Sequence, residues 1–225
     1  MPYRRDVFRN NEIYHLFNRT IDNKLLFNNY RKAETFIKSV IYYRSGYPLP
    51  SLSKFKILPQ DLRYKLEKAL SFRKYFRVEI LTYCLLPTHF HFLIRQIKND
   101  GIVRFVSDTL NSFTRYWNIK IKRKGPIFLP RFQSRRIISE EQLIHVSRYI
   151  HLNPYSHKVV KTLYDLSVYP WSSYKDYLNE SKSNLVSTNT ILGIFNNQRE
   201  EYKNFAENQA DYQQLIQDLK YIEKW

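Results

Sequence analysis

The chain contains little cysteine, little glycine and few acidic residues. Of its 225 residues, one is cysteine and four are glycine. A single Cys84 excludes an internal disulfide and any zinc site built from several cysteines, and its apolar neighbours predict a core thiol rather than a nucleophile. Long apolar runs are also missing, and MPYRRDVFRN at the start lacks the pattern of a signal peptide. We therefore expect a cytoplasmic protein that makes no contact with a membrane.

The shortage of acidic residues leaves a large positive charge. Lys and Arg number 37 against 20 Asp and Glu, which gives a formal net charge of +17 and a pI near 9.8. An excess of this size indicates a polyanionic partner, above all a nucleic acid. The 19 tyrosines and 15 phenylalanines supply rings that can stack on unpaired bases, although most of them are needed for packing.

Hydrophobic periodicity predicts a regular succession of strands and helices. The predicted strands are Glu12–Thr20, Arg77–Pro87, His89–Gln96 and Ile127–Ser139, and the predicted helices are Arg31–Arg44, Ile102–Gly125 and Ser139–Asn153, with Asn153-Pro154 ending the last. The order strand, helix, strand, strand, helix, strand, helix is typical of an α+β fold. We expect a ferredoxin-like or RRM-like sandwich in which helices pack on an antiparallel sheet.

Two segments stand outside this pattern. Residues 45–75 are a proline-broken loop followed by a short basic helix, which predicts an insertion into the domain. A Ser/Asn-rich join near residue 179 then precedes a polar helical stretch. The predicted organisation is one domain over residues 1–178 and a C-terminal helical extension over residues 179–225.

The stretch LLPTHFHFLIRQ places two of the six histidines one residue apart. Because alternate residues of a strand face the same side, His89 and His91 project together while Phe90 and Phe92 project the opposite way. Two adjacent imidazoles can bind one divalent metal. The same spacing also arises when one ring is hydrogen-bonded in the core and the other is solvated, so the pair alone leaves both interpretations open.

The segment RYIHLNP offers groups that would complete such a site. Tyr149 and Asn153 are four residues apart and share one helical face. With the amide oxygen of Asn153 the site would be His-His-Asn with open positions, a set suited to Mg²⁺ or Mn²⁺, which would polarise a phosphodiester beside the tyrosine hydroxyl. His145 and His151, on the same helix, are competing ligands, and Tyr149 is equally explained as a packing aromatic.

Six blocks carry a resemblance to a known family. In order they are YHLFNR, ILTYCLLPTHFHFLI, FTRYWN, FLPRFQSRRI, RYIHLNP and YPWSSY. Over residues 12–178 the chain resembles the HUH single-tyrosine transposases and, more narrowly, the REP-associated tyrosine transposases, which are relatives of small bacterial insertion-sequence transposases. Three departures bear on DNA preference more than on chemistry: the absence of glycine in NRTIDN, a loop and helix at residues 45–75 that are longer than in most relatives, and Thr88 where the family often has Asn.

The resemblance implies a function and a set of site residues. It implies a bacterial, nucleoid-associated enzyme that cleaves and rejoins single-stranded or hairpin DNA through a covalent 5′-phosphotyrosine intermediate. Tyr149 would be the nucleophile, His89 and His91 would bind Mg²⁺ or Mn²⁺, and Asn153 would be the third ligand. Basic side chains in or beside the blocks are the candidate DNA contacts, mainly to the backbone: Arg19, Arg115, Lys122, Arg131, Arg135 and Arg136.

Two other functions remain compatible with the sequence. One is a non-catalytic nucleic-acid-binding module, a repressor or RNA chaperone, on the same fold. The other is a zinc hydrolase that uses the histidine pair and water, for which Glu79 on the adjoining strand is the best available carboxylate. The C-terminal extension favours a monomer or a weak homodimer.

Overall fold

A four-stranded antiparallel sheet lies at the centre of the chain. The computed structural model describes residues 7–46, 50–179 and 185–222. Residues 1–6 and 47–49 of the predicted domain, and residues 180–184 and 223–225 of the predicted C-terminal extension, lie outside these ranges. The strands are β1 Ile13–Arg19, β2 Val78–Leu86, β3 His89–Gln96 and β4 Gln133–Arg136, in the spatial order β2-β3-β1-β4. This is the strand order of a ferredoxin-like fold, so the predicted fold class is confirmed.

Ten α-helices accompany the strands in the described ranges. They are α1 Tyr30–Tyr43, α2 Leu52–Phe55, α3 Gln60–Ser71, α4 Gly101–Lys120, α5 Glu140–Ser156, α6 Leu163–Ser167, α7 Tyr174–Leu178, α8 Asn189–Leu192, α9 Arg199–Glu207 and α10 Ala210–Ile222. Across the described residues, none of these is both long and apolar enough to cross a membrane.

The two faces of the sheet are covered by different helices. On β3, Phe90, Phe92 and Ile94 join the core cluster that contains buried residues of α1 and α4. Leu93 belongs instead to the cluster that contains buried residues of α5. Because side chains alternate along a strand, His89 and His91 lie on the α5 side.

The C-terminal helices share this second core. Tyr202 and Ala206 of α9 and Ala210 of α10 are buried in the same cluster as Ile150 of α5. The side chain of Gln213 also donates from Nε2 to the main-chain oxygen of Tyr149 over 3.1 Å. Residues of α9 and α10 therefore pack against α5 and support it.

Three elements differ from the prediction by more than one residue. The helix α4 ends at Lys120 rather than at Gly125, and Lys122 just after it has a positive φ of 51°. The fourth strand is only four residues long because Pro130 has no N–H for a ladder, and Phe128 makes only an isolated bridge with Thr20. The last predicted helix, α5, does not end at Asn153 but continues through Pro154 to Ser156. A proline in the final turn costs little, since few hydrogen bonds remain to be lost there. The extension carries the helix axis towards His157.

A close backbone approach at Gly101 gives a stability prediction. A Cβ at the first residue of α4 would collide with the carbonyl oxygen of Arg77 and lie 3.1 Å from its carbon, and a backbone group cannot move aside easily. We expect Gly101→Ala to lower the free energy of unfolding by about 1–3 kcal/mol. Gly193→Ala is the matched control, because no atom lies within 4 Å of a Cβ there. Equal denaturation midpoints for the two variants would contradict this account.

Candidate active site

Four of the six histidines converge on the α5 side of the sheet. His15 of β1 lies beside His91 of β3, with 3.0 Å between His15 Nε2 and His91 Nδ1. The ring of His89 lies 5.1 Å from that of His91 and 5.2 Å from that of His157, measured between centroids. Sequence reasoning misses His15 and His157. The only sequence signal for His15 is the alternation of β1, which puts it on the same side of the strand as Phe17. The only signal for His157 is its position four residues after Asn153.

The two predicted metal ligands are held in the same way. Nδ1 of His89 lies 2.9 Å from the hydroxyl of Thr88, and Nδ1 of His91 lies 3.0 Å from His15. Nε2 of His91 is buried, and among the described residues it has no hydrogen-bond partner. Metal-binding histidines normally use one nitrogen for the metal and the other for a hydrogen bond that fixes the ring. In each ring of the pair, Nδ1 is therefore the nitrogen with a hydrogen-bond partner, and Nε2 is the nitrogen that a cation would bind.

Tyr149 of α5 packs against the histidines. Its ring is perpendicular to that of His91, at 89° and 5.7 Å between centroids, and lies 6.0 Å from that of His15. Burial raises the pKa of the Tyr149 hydroxyl, and the nearby Asn153 amide offsets part of that rise. The phenol is consequently protonated at neutral pH, a form in which a tyrosine is a poor nucleophile unless another group activates it.

Asn153 lies one helical turn after Tyr149 and is fully buried. Its amide approaches the tyrosine hydroxyl, yet within the described ranges neither Oδ1 nor Nδ2 has a partner in hydrogen-bonding geometry. A buried amide without partners is costly, and such groups commonly mark a place for a ligand or ion. Asn153 thus differs from an ordinary core side chain.

The donor set fits a hard or borderline divalent cation. Among the described residues, no three His, Cys, Asp or Glu side chains are placed to hold a metal. A cation here would rely on the two Nε2 atoms, the Asn153 amide oxygen and further oxygens from substrate or water. Open positions filled by oxygen are what Mg²⁺ and Mn²⁺ prefer, and imidazole favours Mn²⁺ of the two.

The imidazoles are neutral at physiological pH. Burial lowers the pKa of His15 to about 4. Burial, helped by His157 and Arg19, lowers the pKa of His89 to about 4, and burial holds the pKa of His91 well below its ordinary value. Neutral rings have their lone pairs available, so binding a cation requires no proton to leave them.

Glu79 does not belong to this site, which corrects the expectation for a zinc hydrolase. It lies opposite Arg95 in the sheet and forms ion pairs with Arg73 and Arg95. Arg95 is four residues from His91, about 13 Å along an extended strand. A hydrolase built on the histidine pair would therefore lack its carboxylate.

The two histidines that compete as ligands on the helix point elsewhere. His151 is fully buried on the far side of α5, with Nδ1 2.6 Å from the hydroxyl of Tyr202 and Nε2 2.8 Å from that of Ser173. His145 is exposed and lies 2.8 Å from a guanidinium nitrogen of Arg148. Both nitrogens of His151 are engaged, so it has a structural role.

The predicted DNA contacts are divided among several surfaces. Arg19 lies opposite His89, and Arg135 opposite His15, so these two exposed residues flank the histidines. Arg136 faces the other side of the sheet and forms a two-bond ion pair with Glu12, at 3.0 and 2.6 Å. The rest are exposed and lie on α4 or in the loops after it: Arg115, Lys122 and Arg131.

Comparison with known proteins supports the fold. No protein-family model matches the chain, and no curated protein sequence matches it. A solved structure described as the REP-associated tyrosine transposase bound to a REP hairpin aligns with a TM-score of 0.55 and 16% sequence identity. The alignment covers 83% of this chain and 92% of that one. The chain therefore has the fold of a REP-associated tyrosine transposase, in agreement with the resemblance of its six sequence blocks.

Proposed function

We propose that this protein is a metal-dependent endonuclease and strand transferase that acts on single-stranded or hairpin DNA. One observation carries the proposal: Tyr149 stands against His91 in a site where His91 Nε2 and the Asn153 amide lack partners among the described residues. A non-catalytic binding module would have no need to keep these groups together, because unpartnered buried polar groups cost stability. The solved structure with a similar fold is described as bound to a REP hairpin, and this supports DNA as the substrate.

The proposed reaction is a transesterification at phosphorus. Oη of Tyr149 attacks the phosphate, an Oη–P bond forms, and the bond from phosphorus to the 3′-oxygen breaks. The products are a 5′-phosphotyrosine and a free 3′-hydroxyl, whose new proton balances the one that the phenol loses. Attack by another 3′-hydroxyl reverses the step and joins two strands, so no nucleotide cofactor is consumed.

His89, His91 and Asn153 would hold the metal, and the flanking arginines would hold the DNA. A bound Mg²⁺ or Mn²⁺ would neutralise charge on the phosphate and help to orient the phosphate for in-line attack. Arg19, opposite His89, and Arg135, opposite His15, would contact backbone phosphates beside the histidines. The overall charge of +17 draws the strand to the protein without selecting a sequence.

Covalent trapping tests the proposal. We would incubate the protein with 3′-end-labelled single-stranded oligonucleotides, including hairpins from DNA flanking its gene, and with Mn²⁺, Mg²⁺ or EDTA. We expect a labelled protein band on a denaturing gel only when a divalent metal is present. Mass spectrometry of the digested band should place the nucleotide on the peptide that contains Tyr149.

Blunt duplex DNA of the same sequence is the control substrate, and we expect no band with it. Tight binding to the hairpins without any covalent band, under both metals, would overturn the enzymatic proposal in favour of a binding module. A band that forms equally well in EDTA would overturn the metal dependence alone.

A further inference from the structure

We infer that His15 is a positioning residue that fixes His91 in the tautomer needed for ligation. The inference rests on the proposed function, since it assigns His15 a task in the same site. His15 reaches His91 from the neighbouring strand, with His15 opposite Leu93 and His91 opposite Phe17 in the ladder. The contact between them is a 3.0 Å hydrogen bond between His15 Nε2 and His91 Nδ1.

The direction of this hydrogen bond decides what His91 can do. If His91 Nδ1–H donates to His15, Nε2 of His91 carries a lone pair and can bind a cation. If His15 donates instead, Nε2 of His91 carries a proton and becomes a buried donor. No acceptor for such a donor exists within the described residues. Orphaned buried donors are rarer than orphaned acceptors, which favours His91 as the donor.

The surroundings of His15 agree with the acceptor role. When its Nε2 accepts, its Nδ1 must carry the proton. His15 keeps 8% of its surface exposed, and in the described part of the chain its Nδ1 is not among the buried atoms that lack a partner. The Nδ1–H of His15 can thus be hydrated, so one arrangement of protons satisfies both rings once a cation occupies His91 Nε2.

His89 achieves the same orientation with a different partner. The Thr88 hydroxyl lies 2.9 Å from its Nδ1 and can rotate to accept or donate. That bond therefore leaves the tautomer of His89 unselected. At His91 the tautomer follows that of His15, which accepts at Nε2 when it holds its proton on Nδ1, so the loss of His15 should alter His91 specifically.

The test uses two substitutions at residue 15. His15→Phe keeps a ring against Phe17 and Tyr149, whose centroids lie 5.2 and 6.0 Å away, but removes the acceptor. His15→Gln places an amide oxygen where it can accept from His91 Nδ1–H. Phe17→Leu is the matched control, because Phe17 stacks on His91 at 5.7 Å and forms no side-chain hydrogen bond with it.

The first readout needs neither metal nor DNA. Two-bond ¹H–¹⁵N spectra of the metal-free protein report which ring nitrogen of His91 carries the proton. We expect the Nδ1–H form in the wild type, in Phe17→Leu and in His15→Gln, and a mixture or the Nε2–H form in His15→Phe. A wild-type protein whose His91 is protonated on Nε2 would overturn the inference, whatever the protein does with DNA.

The second readout is Mn²⁺ affinity by calorimetry, with circular dichroism to confirm the fold. We expect His15→Phe to weaken binding about 10- to 100-fold and His15→Gln to recover most of it. Unchanged affinity in a folded His15→Phe variant would overturn the inference. If the wild type neither binds Mn²⁺ nor forms a covalent product, the proposed function fails, and the tautomer spectra still decide the role of His15.

Discussion

Replacing Tyr149 with phenylalanine is expected to abolish the covalent protein–DNA product, a loss of at least about 10³-fold. The ring would keep its perpendicular contact with His91, 5.7 Å between centroids, so the change removes little more than the attacking oxygen. Because the pKa of this hydroxyl is raised by burial, it depends on the surrounding site for activation. The labelled band on a denaturing gel measures the effect.

Tyr155→Phe is the matched control for this loss. Tyr155 lies on the same helix, but its hydroxyl donates to Asp211 Oδ1 over 2.9 Å and points away from the histidines. We expect this variant to form the covalent product at nearly the wild-type rate. Fluorescence anisotropy should give similar hairpin affinities for all three proteins. A band that survives in Tyr149→Phe would show that another residue is the nucleophile.

The metal-free protein is expected to lose stability steeply between pH 6.5 and pH 3. Burial lowers the pKa of His151 to about 3, against an ordinary value of 6.5 in the unfolded chain. Between pH 6.5 and pH 3, the unfolded state therefore binds a proton at His151, whereas the folded state does not. The contribution of neutral His151 to the free energy of unfolding is complete above pH 6.5. Below that pH it falls by about 1.4 kcal/mol per pH unit, a total loss on the order of 5 kcal/mol by pH 3.

Chemical denaturation in EDTA at several pH values isolates the contribution of His151. His151→Gln should reduce the pH slope of the unfolding free energy by about 1.4 kcal/mol per unit, even though the substitution itself destabilises the fold. His145→Gln is the control, since it removes an exposed histidine from the same helix. Identical slopes in the wild type and His151→Gln would contradict a buried neutral imidazole.

The sequence predicts those parts of the site that depend on local periodicity. Alternation along β3 places His89 and His91 together, and helical spacing places Tyr149 near Asn153. His15 could not be predicted in this way, because its contact with His91 depends on the register between strands that are 76 residues apart. His157 was hidden for another reason, since Pro154 predicts the end of a helix that in fact continues past it.

The predicted DNA contacts show the same limit. Their charge is visible in the sequence, but the tertiary structure decides on which side of the sheet each residue lies. Arg19 and Arg135 share the histidine side of the sheet, whereas Arg115 lies on α4, the helix that packs against the opposite face. A charge pattern along the chain cannot distinguish these positions, and the salt pairing of Arg136 with Glu12 is equally non-local.

The packing of the C-terminal helices against α5 affects the order in which the two cores can form during synthesis. Most of the first core lies before residue 130, so the sheet, α1 and α4 can pack while the chain is still being made. The second core also needs Tyr202, Ala206 and Ala210, which are synthesised more than 70 residues later. We therefore expect a chain truncated before Tyr202 to keep the packing of the sheet with α1 and α4 but to lose the support that holds Tyr149 against the histidines.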